Sequence, residues 1–432
     1  MHIFFSGIGG TGIGPLALIA KEAGYEVSGS DKQDSQYIQY LADHGVTDVH
    51  IGQTKEAIAT AHAKNPIDWY VYSSALPKEN PNHPELLYVT ANGIKHSKRD
   101  EFLNQILRDK KLKLIAIAGT HGKTTTTAMV IWLFKELKIP ASFSVGAKTA
   151  SGDMGQFDEK SEYFVYECDE FDRNFLAFHP FVSLITGIAW DHHEVFPTLQ
   201  DYQEAFRQFM GQSSSNIVWQ ADMDVATIHT GKADTVLRYE DRELHTITLD
   251  GLYNRRNAWQ AVNAVHQITR ESVEKLIEII NVFPGLSRRM EKIIPNLYTD
   301  YAHTPEKIVG GLNTALELAK PRNQKVVVVY EPLTNRRMHY TRDQHAKIFD
   351  GASQIYWVPS YLAREDPKLP VLTPKELITS LDPELQKIAE PHELNEKLKD
   401  LIEKHLENGD LVVGMSGGGG NSLDEWLRRE FK

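Results

Sequence analysis

The stretch LIAIAGTHGKTTTTAMVIWLF, Leu114 to Phe134, decides the fold. It opens as an apolar run of strand length, turns on Gly119 and Gly122, and continues as a helix. Strand, glycine loop with a lysine, and helix together form the layout of a triphosphate site. The glycines let backbone N–H groups approach phosphate oxygens. The helix start adds unpaired N–H groups and the positive end of its dipole. Lys123 reaches the β- and γ-phosphates as a mobile point charge, and Thr124 offers a hydroxyl to Mg²⁺. Two residues separate the glycines here, against four in the standard loop.

Carboxylates should gather beside such a loop to hold a metal. YFVYECDEFD, Tyr163 to Asp172, ends a strand with Glu167, Asp169 and Glu170. The C-terminal ends of parallel strands face the ligand crevice. GIAWDHHEVF, Gly187 to Phe196, ends another with Asp191, His192, His193 and Glu194. Adjacent histidines on a strand point to opposite faces, and no spaced histidine or cysteine pair accompanies them, so the pattern disfavours zinc. One histidine and a carboxylate at a Mg²⁺–phosphate site fit it better.

A second glycine loop opens the chain. In FFSGIGGTGIG, Phe4 to Gly14, the glycines Gly7, Gly9 and Gly12 spell G-x-G-x-x-G between a strand and a helix. Asp31 follows about twenty residues on. The motif's physical content is a diphosphate close to the backbone and an acid near a hydroxyl. A nicotinamide dehydrogenase would use it, but leaves the lysine loop unexplained. A regulatory P-loop switch leaves the first loop unexplained. Two cradles imply two phosphorylated ligands: a triphosphate that donates energy and a substrate on a diphosphate handle.

The rest of the chain sets the frame. Its 432 residues suffice for about three domains. A hydrophobic fraction of 41% with 24% charged residues fits globular cores. No apolar run approaches the ~18 residues of a membrane span, and no secretory signal pattern is present. The single cysteine, Cys168, forms no internal disulfide, which fits a reducing, cytoplasmic setting. A net charge of −11 argues against a nucleic-acid surface. Strands and helices alternate throughout, which predicts α/β folding on mostly parallel sheets. The segment His96 to Lys113 reads as a helix and a connection. SGGGGN, Ser416 to Asn421, reads equally as an anion-facing loop or a plain turn. Arg255-Arg256 reads as a solvated face, and Arg288 as structural.

These residues resemble the muramyl (Mur) ligases of peptidoglycan synthesis along nearly the whole chain. GIGGTGIGPLA, VSGSD and VYSSAL are similar to the family's N-terminal domain. AGTHGKTTTTAMV matches its ATP loop, ECDEFD its Glu-Ala-Asp-Glu segment, and WDHHEVF its Asp-His segment. GLYNRRNAWQAV resembles the adenine-site helix, FPGLSRRME the crossing into the last domain, and TDYAHTPEKI the Asp-Tyr-x-His-x-Pro motif. The resemblance implies three domains: a Rossmann-like, UDP-sugar-binding one over 1–112, a P-loop ATPase-like one over 113–285, and a Rossmann-like, amino-substrate-binding one over 286–432.

It also implies ATP- and Mg²⁺-dependent amide formation through an acyl phosphate on UDP-N-acetylmuramate. Gly119, Thr120, His121, Gly122, Lys123, Thr124 and Thr125 would surround the ATP phosphates. Thr124, Glu167 and His192 would hold Mg²⁺. Asn254 and Asn257 would contact adenine, and Asp300 the ribose. Arg289 would approach the phosphates, and His303 the closing face. Gly7, Gly9, Gly10, Thr11, Gly12, Ser30 and Asp31 would take the UDP handle, with Ser73 and Ser74 nearby. Arg336 and Arg337 would serve the amine's carboxylate.

Departures bear on the branch. Tyr253 stands where the family has histidine. Trp190 to Met210 contains no lysine to carbamylate, and Phe206 falls near its place. That favours the branch adding L-alanine or the one recycling a ready-made L-Ala-γ-D-Glu-meso-diaminopimelate tripeptide. YEPLTNRRMHYTRD differs from the alanine branch. WDHHEVFPTLQDYQEAFRQF and GDLVVGMSGGGG resemble the recycling branch. L-Alanine is the expected amine and the tripeptide the alternative.

Overall fold

The computed structural model describes residues 1–147, 152–190, 192, 195–226, 231, 234–362 and 365–431. Three sheets form, in three α/β domains. The first has five parallel strands in the spatial order Val49–Ile51, Glu26–Asp31, His2–Ser6, Trp69–Tyr72, Lys95–Lys98. His2–Ser6 alternates between two cores. Ile3 and Phe5 enter one hydrophobic cluster, and Phe4 stacks on Tyr70 in another. A strand covered on both faces needs apolar residues throughout, which HIFF supplies.

The second sheet has seven strands, with Lys113–Ala118 between Val182–Ile185 and Tyr163–Glu167. Ala141–Ser144 and Gly155–Gln156 extend one side, the last strand antiparallel. Asn216–Trp219 and Thr235–Leu237 extend the other. The core is continuous between the first two sheets. Phe5, Phe102 and Ala17 belong to the same cluster as Ala116, Phe164 and Phe206. Residues Met1–Ile247 with Arg256–Pro284 accordingly form one compact unit.

Thr248–Arg255 with Gly285–Lys432 form a second unit. Its six-stranded sheet runs Glu291–Ile294, Leu297–Asp300, Leu411–Ser416, Val326–Glu331, Gln354–Trp357, Ala389–Pro391, with only the first pair antiparallel. The run VVVVY is buried throughout. Val326, Val328 and Tyr330 enter one cluster, and Val327 and Val329 another.

One strand differs from the sequence pattern. Lys95–Lys98 is a strand where a helix and connection were expected, and the helix starts at Arg99. KHSK is an edge strand, paired on one side only, so its polar residues need no apolar partners. None of the helices is long and apolar enough to cross a membrane, among the described residues.

His345 is fully buried beside Trp357, and its Nδ1 has no hydrogen-bond partner among the described residues. Burial lowers its pKa from 6.5 to about 4, against the opposing pull of Asp343. Between those values the unfolded chain binds the extra proton. Stability from this residue is therefore full above pH 6.5 and is lost as pH falls toward 4, by roughly 3 kcal/mol at most. Urea titrations between pH 7.5 and 4.5 should show this slope, and His345→Gln should flatten it.

Candidate functional site

Lys113–Ala118 lies where the strand order reverses, so the loop after it opens at a topological switch point. There Gly119 and Gly122 adopt φ of 139° and 82°. Neither tolerates a side chain. A Cβ on Gly119 would lie 2.5 Å from Thr186 Oγ1, and one on Gly122 2.6 Å from Oδ1 of the buried Asn257. The neighbouring strand's continuation pins the loop. Thr186 Oγ1 donates to the His121 carbonyl (2.5 Å), and the Thr120 N–H to the Gly187 carbonyl (2.9 Å). The Thr120 hydroxyl donates to the Ala189 carbonyl (2.7 Å). The helix Lys123–Glu136 follows with Gly122 as its cap, so no side chain satisfies its first N–H groups. Thr125 is buried in its first turn.

Lys123 turns back onto the loop. Its Nζ donates to the Gly119 carbonyl (2.5 Å) and to Glu170 Oε2 (2.7 Å). Glu170 is 0% exposed, and its Oε1 has no hydrogen-bond partner among the described residues. Burial raises the Glu170 carboxyl, and Lys123 draws it back down. Burial also opposes the Lys123 charge, but Glu170 and Asp169 outweigh it and hold the ammonium protonated.

Thr124 Oγ1 donates to Glu167 Oε1 (2.9 Å), whose Oε2 accepts from the Gly146 N–H (2.6 Å). Ligand atoms of Asp169, Glu170 and His192 lie within 4.8 Å of one another. His192 Nε2 is 3.8 Å from Glu170 Oε1, and its ring meets Phe171 edge-on. Thr124 thus sits with Glu167, while His192 groups with Asp169 and Glu170. The sequence did not single out Glu170 as the partner of Lys123. Asp191, His193 and Glu194 lie outside the described residues.

The first glycine loop also sits at a switch point, after the strand His2–Ser6. Gly7 has φ of 76°. The N–H groups of Gly7 and Ile8 both donate to the Ser30 carbonyl, at 2.8 and 3.0 Å. The Gly9 N–H donates to Asp31 Oδ2 (2.8 Å), so Asp31 shapes the loop itself. Gly10 and Thr11 are exposed, and Gly12 is half-buried. Ser73 accepts the Leu76 N–H at its carbonyl, and the Ser74 hydroxyl donates to Asn174 Oδ1 (3.2 Å), just beyond the acidic segment. Phe206 is buried among Phe175 and Tyr202 as ordinary core.

The second unit holds the remaining candidates. The Asn254 amide donates to the Asp250 carbonyl (2.8 Å), and Tyr253 is exposed. Asp300 accepts from the Met290 N–H (2.8 Å); burial raises its pKa and Arg289 opposes that. The Arg289 guanidinium lies 4.7 Å over the Tyr301 ring. His303 is buried with Nδ1 2.8 Å from the Tyr301 carbonyl. Burial, reinforced by Lys307 and Arg337, pushes its pKa well down, so its ring is neutral at pH 7. Arg336 is exposed, while Arg337 is half-buried. Arg288 donates to the Ser416 and Gly418 carbonyls (3.0 and 2.8 Å). Arg255, read as solvated, pairs with Glu317 (2.5 Å).

Comparison with known proteins fits this arrangement. Residues 2–111 match the family model described as Mur ligase family, catalytic domain, and residues 117–279 match the Mur ligase middle domain. A UDP-N-acetylmuramate–L-alanine ligase of Clostridium beijerinckii is 30% identical, over 96% of this chain and 95% of its own. A protein of the same name from Salinibacter ruber is 31% identical, over 85% and 82%. Among solved structures, the UDP-N-acetylmuramate-alanine ligase MurC of Thermotoga maritima superposes with a TM-score of 0.75 at 24% identity, covering 100% of this chain and 98% of its own. A murein peptide ligase of Psychrobacter arcticus reaches 0.64 at 23% identity, over 100% and 98%.

The buried pair at Lys123 has a measurable consequence. Lys123→Met leaves the Glu170 carboxylate uncompensated, a loss of about 3–5 kcal/mol for a buried pair. Protonation of Glu170 relieves it. The thermal midpoint of the variant should therefore fall further below wild type at pH 8 than at pH 5. An equal deficit at both values would place Glu170 outside the pair.

Proposed function

The chain belongs to the Mur ligase family, and on that premise we propose that it joins L-alanine to UDP-N-acetylmuramate in an ATP-dependent amide-forming reaction of cytoplasmic peptidoglycan synthesis. The observation that carries this reading is the alignment with relatives so named, over 95% of one and 82% of another. The two matched family regions take in both glycine loops. The division of labour follows the expected domains: 1–112 for the UDP-sugar, 113–285 for ATP, and 286–432 for the amine.

A free carboxylate is a poor acyl donor. Transfer of the γ-phosphoryl group to the lactyl carboxylate creates a leaving group, and the amine then displaces phosphate at the acyl carbon. Catalysis of this kind rests on positioning and on neutralising charge. Gly119 to Thr125 would cradle the triphosphate, with Lys123 passing from Glu170 to phosphate oxygens. Glu170 Oε1, which has no hydrogen bond among the described residues, and the oxygen-rich donor set fit a hard cation. Thr124, Glu167 and His192, with Asp169 and Glu170 beside them, would hold Mg²⁺, which supplies positive charge against the phosphates. The loop from Gly7 to Gly12, with Ser30, Asp31, Ser73 and Ser74, would hold the UDP handle. Asn254, Asn257 and Asp300 would serve the nucleoside, and Arg289 the phosphates. Neutral His303, Arg336 and Arg337 would face the amine.

A tripeptide amine is the second reading. The segments WDHHEVFPTLQDYQEAFRQF and GDLVVGMSGGGG, which resemble the recycling branch, favour it, and YEPLTNRRMHYTRD differs from the alanine branch. Phosphate release with ATP, Mg²⁺ and UDP-N-acetylmuramate, compared across L-alanine, L-serine, glycine and the tripeptide, decides between the two. L-Alanine should be preferred; release with none of the four would refute the ligase reading. Lys123→Ala should lower turnover by about 10²–10³-fold, with UDP-N-acetylmuramate affinity unchanged. Glu167→Gln should raise the Mg²⁺ concentration needed for half-maximal rate.

A further inference from the structure

Arg99 opens the helix Arg99–Asp109 at the edge of the first glycine loop. Its guanidinium carries five N–H donors in a rigid fork. Among the described residues its side chain makes only two long ion pairs, Nε to Asp100 Oδ1 and Nη2 to Asp169 Oδ2, both at 3.5 Å. Asp100 Oδ1 is itself buried without a hydrogen bond among the described residues. The Arg99 side chain is only 19% exposed, and both of its ion pairs are at 3.5 Å. Other cations nearby are engaged: Lys32 with Glu79, and Lys78 and Lys98 with Asp172.

Gly12 explains where the fork points. Its φ is not positive, so no backbone requirement demands glycine there. The guanidinium occupies the space beside it: a Cβ on Gly12 would lie 2.1 Å from Arg99 Nη1, so any side chain there would push the movable end of Arg99 aside. The third glycine of the motif makes room for a guanidinium above the loop. One end of that guanidinium lies over the first cradle. The other faces Asp169, whose carboxylate groups with Glu170 and His192.

We propose that Arg99 is a substrate-binding residue that donates to an anionic oxygen of the sugar nucleotide and positions the acceptor between the first glycine loop and the acidic segment. The inference rests on the sugar-nucleotide reading above. A planar fork suits both phosphate and carboxylate oxygens, which accept two parallel N–H bonds. Its present pairs at 3.5 Å are too long to compete with such an acceptor.

The test is calorimetric binding of UDP-N-acetylmuramate and of UDP, without ATP, to wild type, Arg99→Met, Arg99→Lys and Gly12→Ala. Arg99→Met should weaken UDP-N-acetylmuramate by at least about ten-fold, and Arg99→Lys should recover part of the loss. Affinity for a fluorescent ATP analogue should stay near wild type, and circular dichroism at the assay temperature should show each variant folded, since loss of Arg99 leaves the buried Asp100 without its ion pair. Gly12→Ala keeps the charge but displaces the fork, so it should reproduce the loss, and the double variant should be no weaker than either single one. A parallel loss for UDP assigns Arg99 to the diphosphate. A loss confined to UDP-N-acetylmuramate assigns it to the carboxylate. Unchanged affinity of folded Arg99→Met and Gly12→Ala overturns the proposal. Absence of any wild-type binding overturns instead the reading beneath it.

Discussion

The ion pair between Lys123 and Glu170 is the constraint around which the second domain is arranged. A carboxylate that is 0% exposed is costly without a counter-charge, and the 2.7 Å contact provides one. Meeting that requirement fixes much else. The loop must turn so that the Gly119 carbonyl faces the same ammonium, which needs φ of 139° at Gly119 and 82° at Gly122. Thr186 and Asn257 then occupy the space that side chains at those positions would need. The pair leaves one Glu170 oxygen without a hydrogen bond among the described residues. A buried network incomplete at one atom stabilises less than an apolar core would, which points to selection for a ligand more than for stability.

The acidic segment is held from the first sheet as well. Asp172 accepts from Lys78 (2.8 Å), in the helix after the strand Trp69–Tyr72, and from Lys98 (2.6 Å), which ends the strand Lys95–Lys98. Asp172 and Arg173 both take φ of 57°, an uncommon conformation for non-glycine residues. The lysines offset the cost of that bend. Ser74 bonds Asn174 one residue beyond it. The carboxylates beside the lysine loop are therefore anchored to the domain that carries the other loop, which suits a reaction needing two bound substrates in register.

The two loops and their strand–loop–helix settings were legible because they are local. Glycine, lysine and helix start fall within a dozen residues, and the pattern carries its own geometry. Partnerships across the fold were not legible. Glu170 lies 47 residues from Lys123, and nothing in ECDEFD distinguishes it from Asp169. Asp31 was read as facing a ligand hydroxyl, but bonds the Gly9 N–H 22 residues away. The strand Lys95–Lys98 escaped notice because an edge strand carries neither an apolar run nor a clear alternation. The closeness of Gly12 to Arg99 was not legible either, since it depends on a helix start 87 positions later.

The paired arginines show the same limit from another side. Arg288 and Arg289 are neighbours of one residue type, and Arg288 itself takes φ of 57°. That turn sends them to different work. Arg288 grips the Ser416 and Gly418 carbonyls, so the glycine-rich stretch Ser416 to Asn421 directs backbone oxygens at a cation. An anion site needs the opposite polarity, with N–H groups converging. Ser416 and the Leu423 N–H are tied in turn to the buried Glu331. The stretch is thereby a braced turn packed against His303, where a Cβ on Gly417 would meet the imidazole at 2.8 Å. Its glycines keep that imidazole in place, and burial keeps it uncharged.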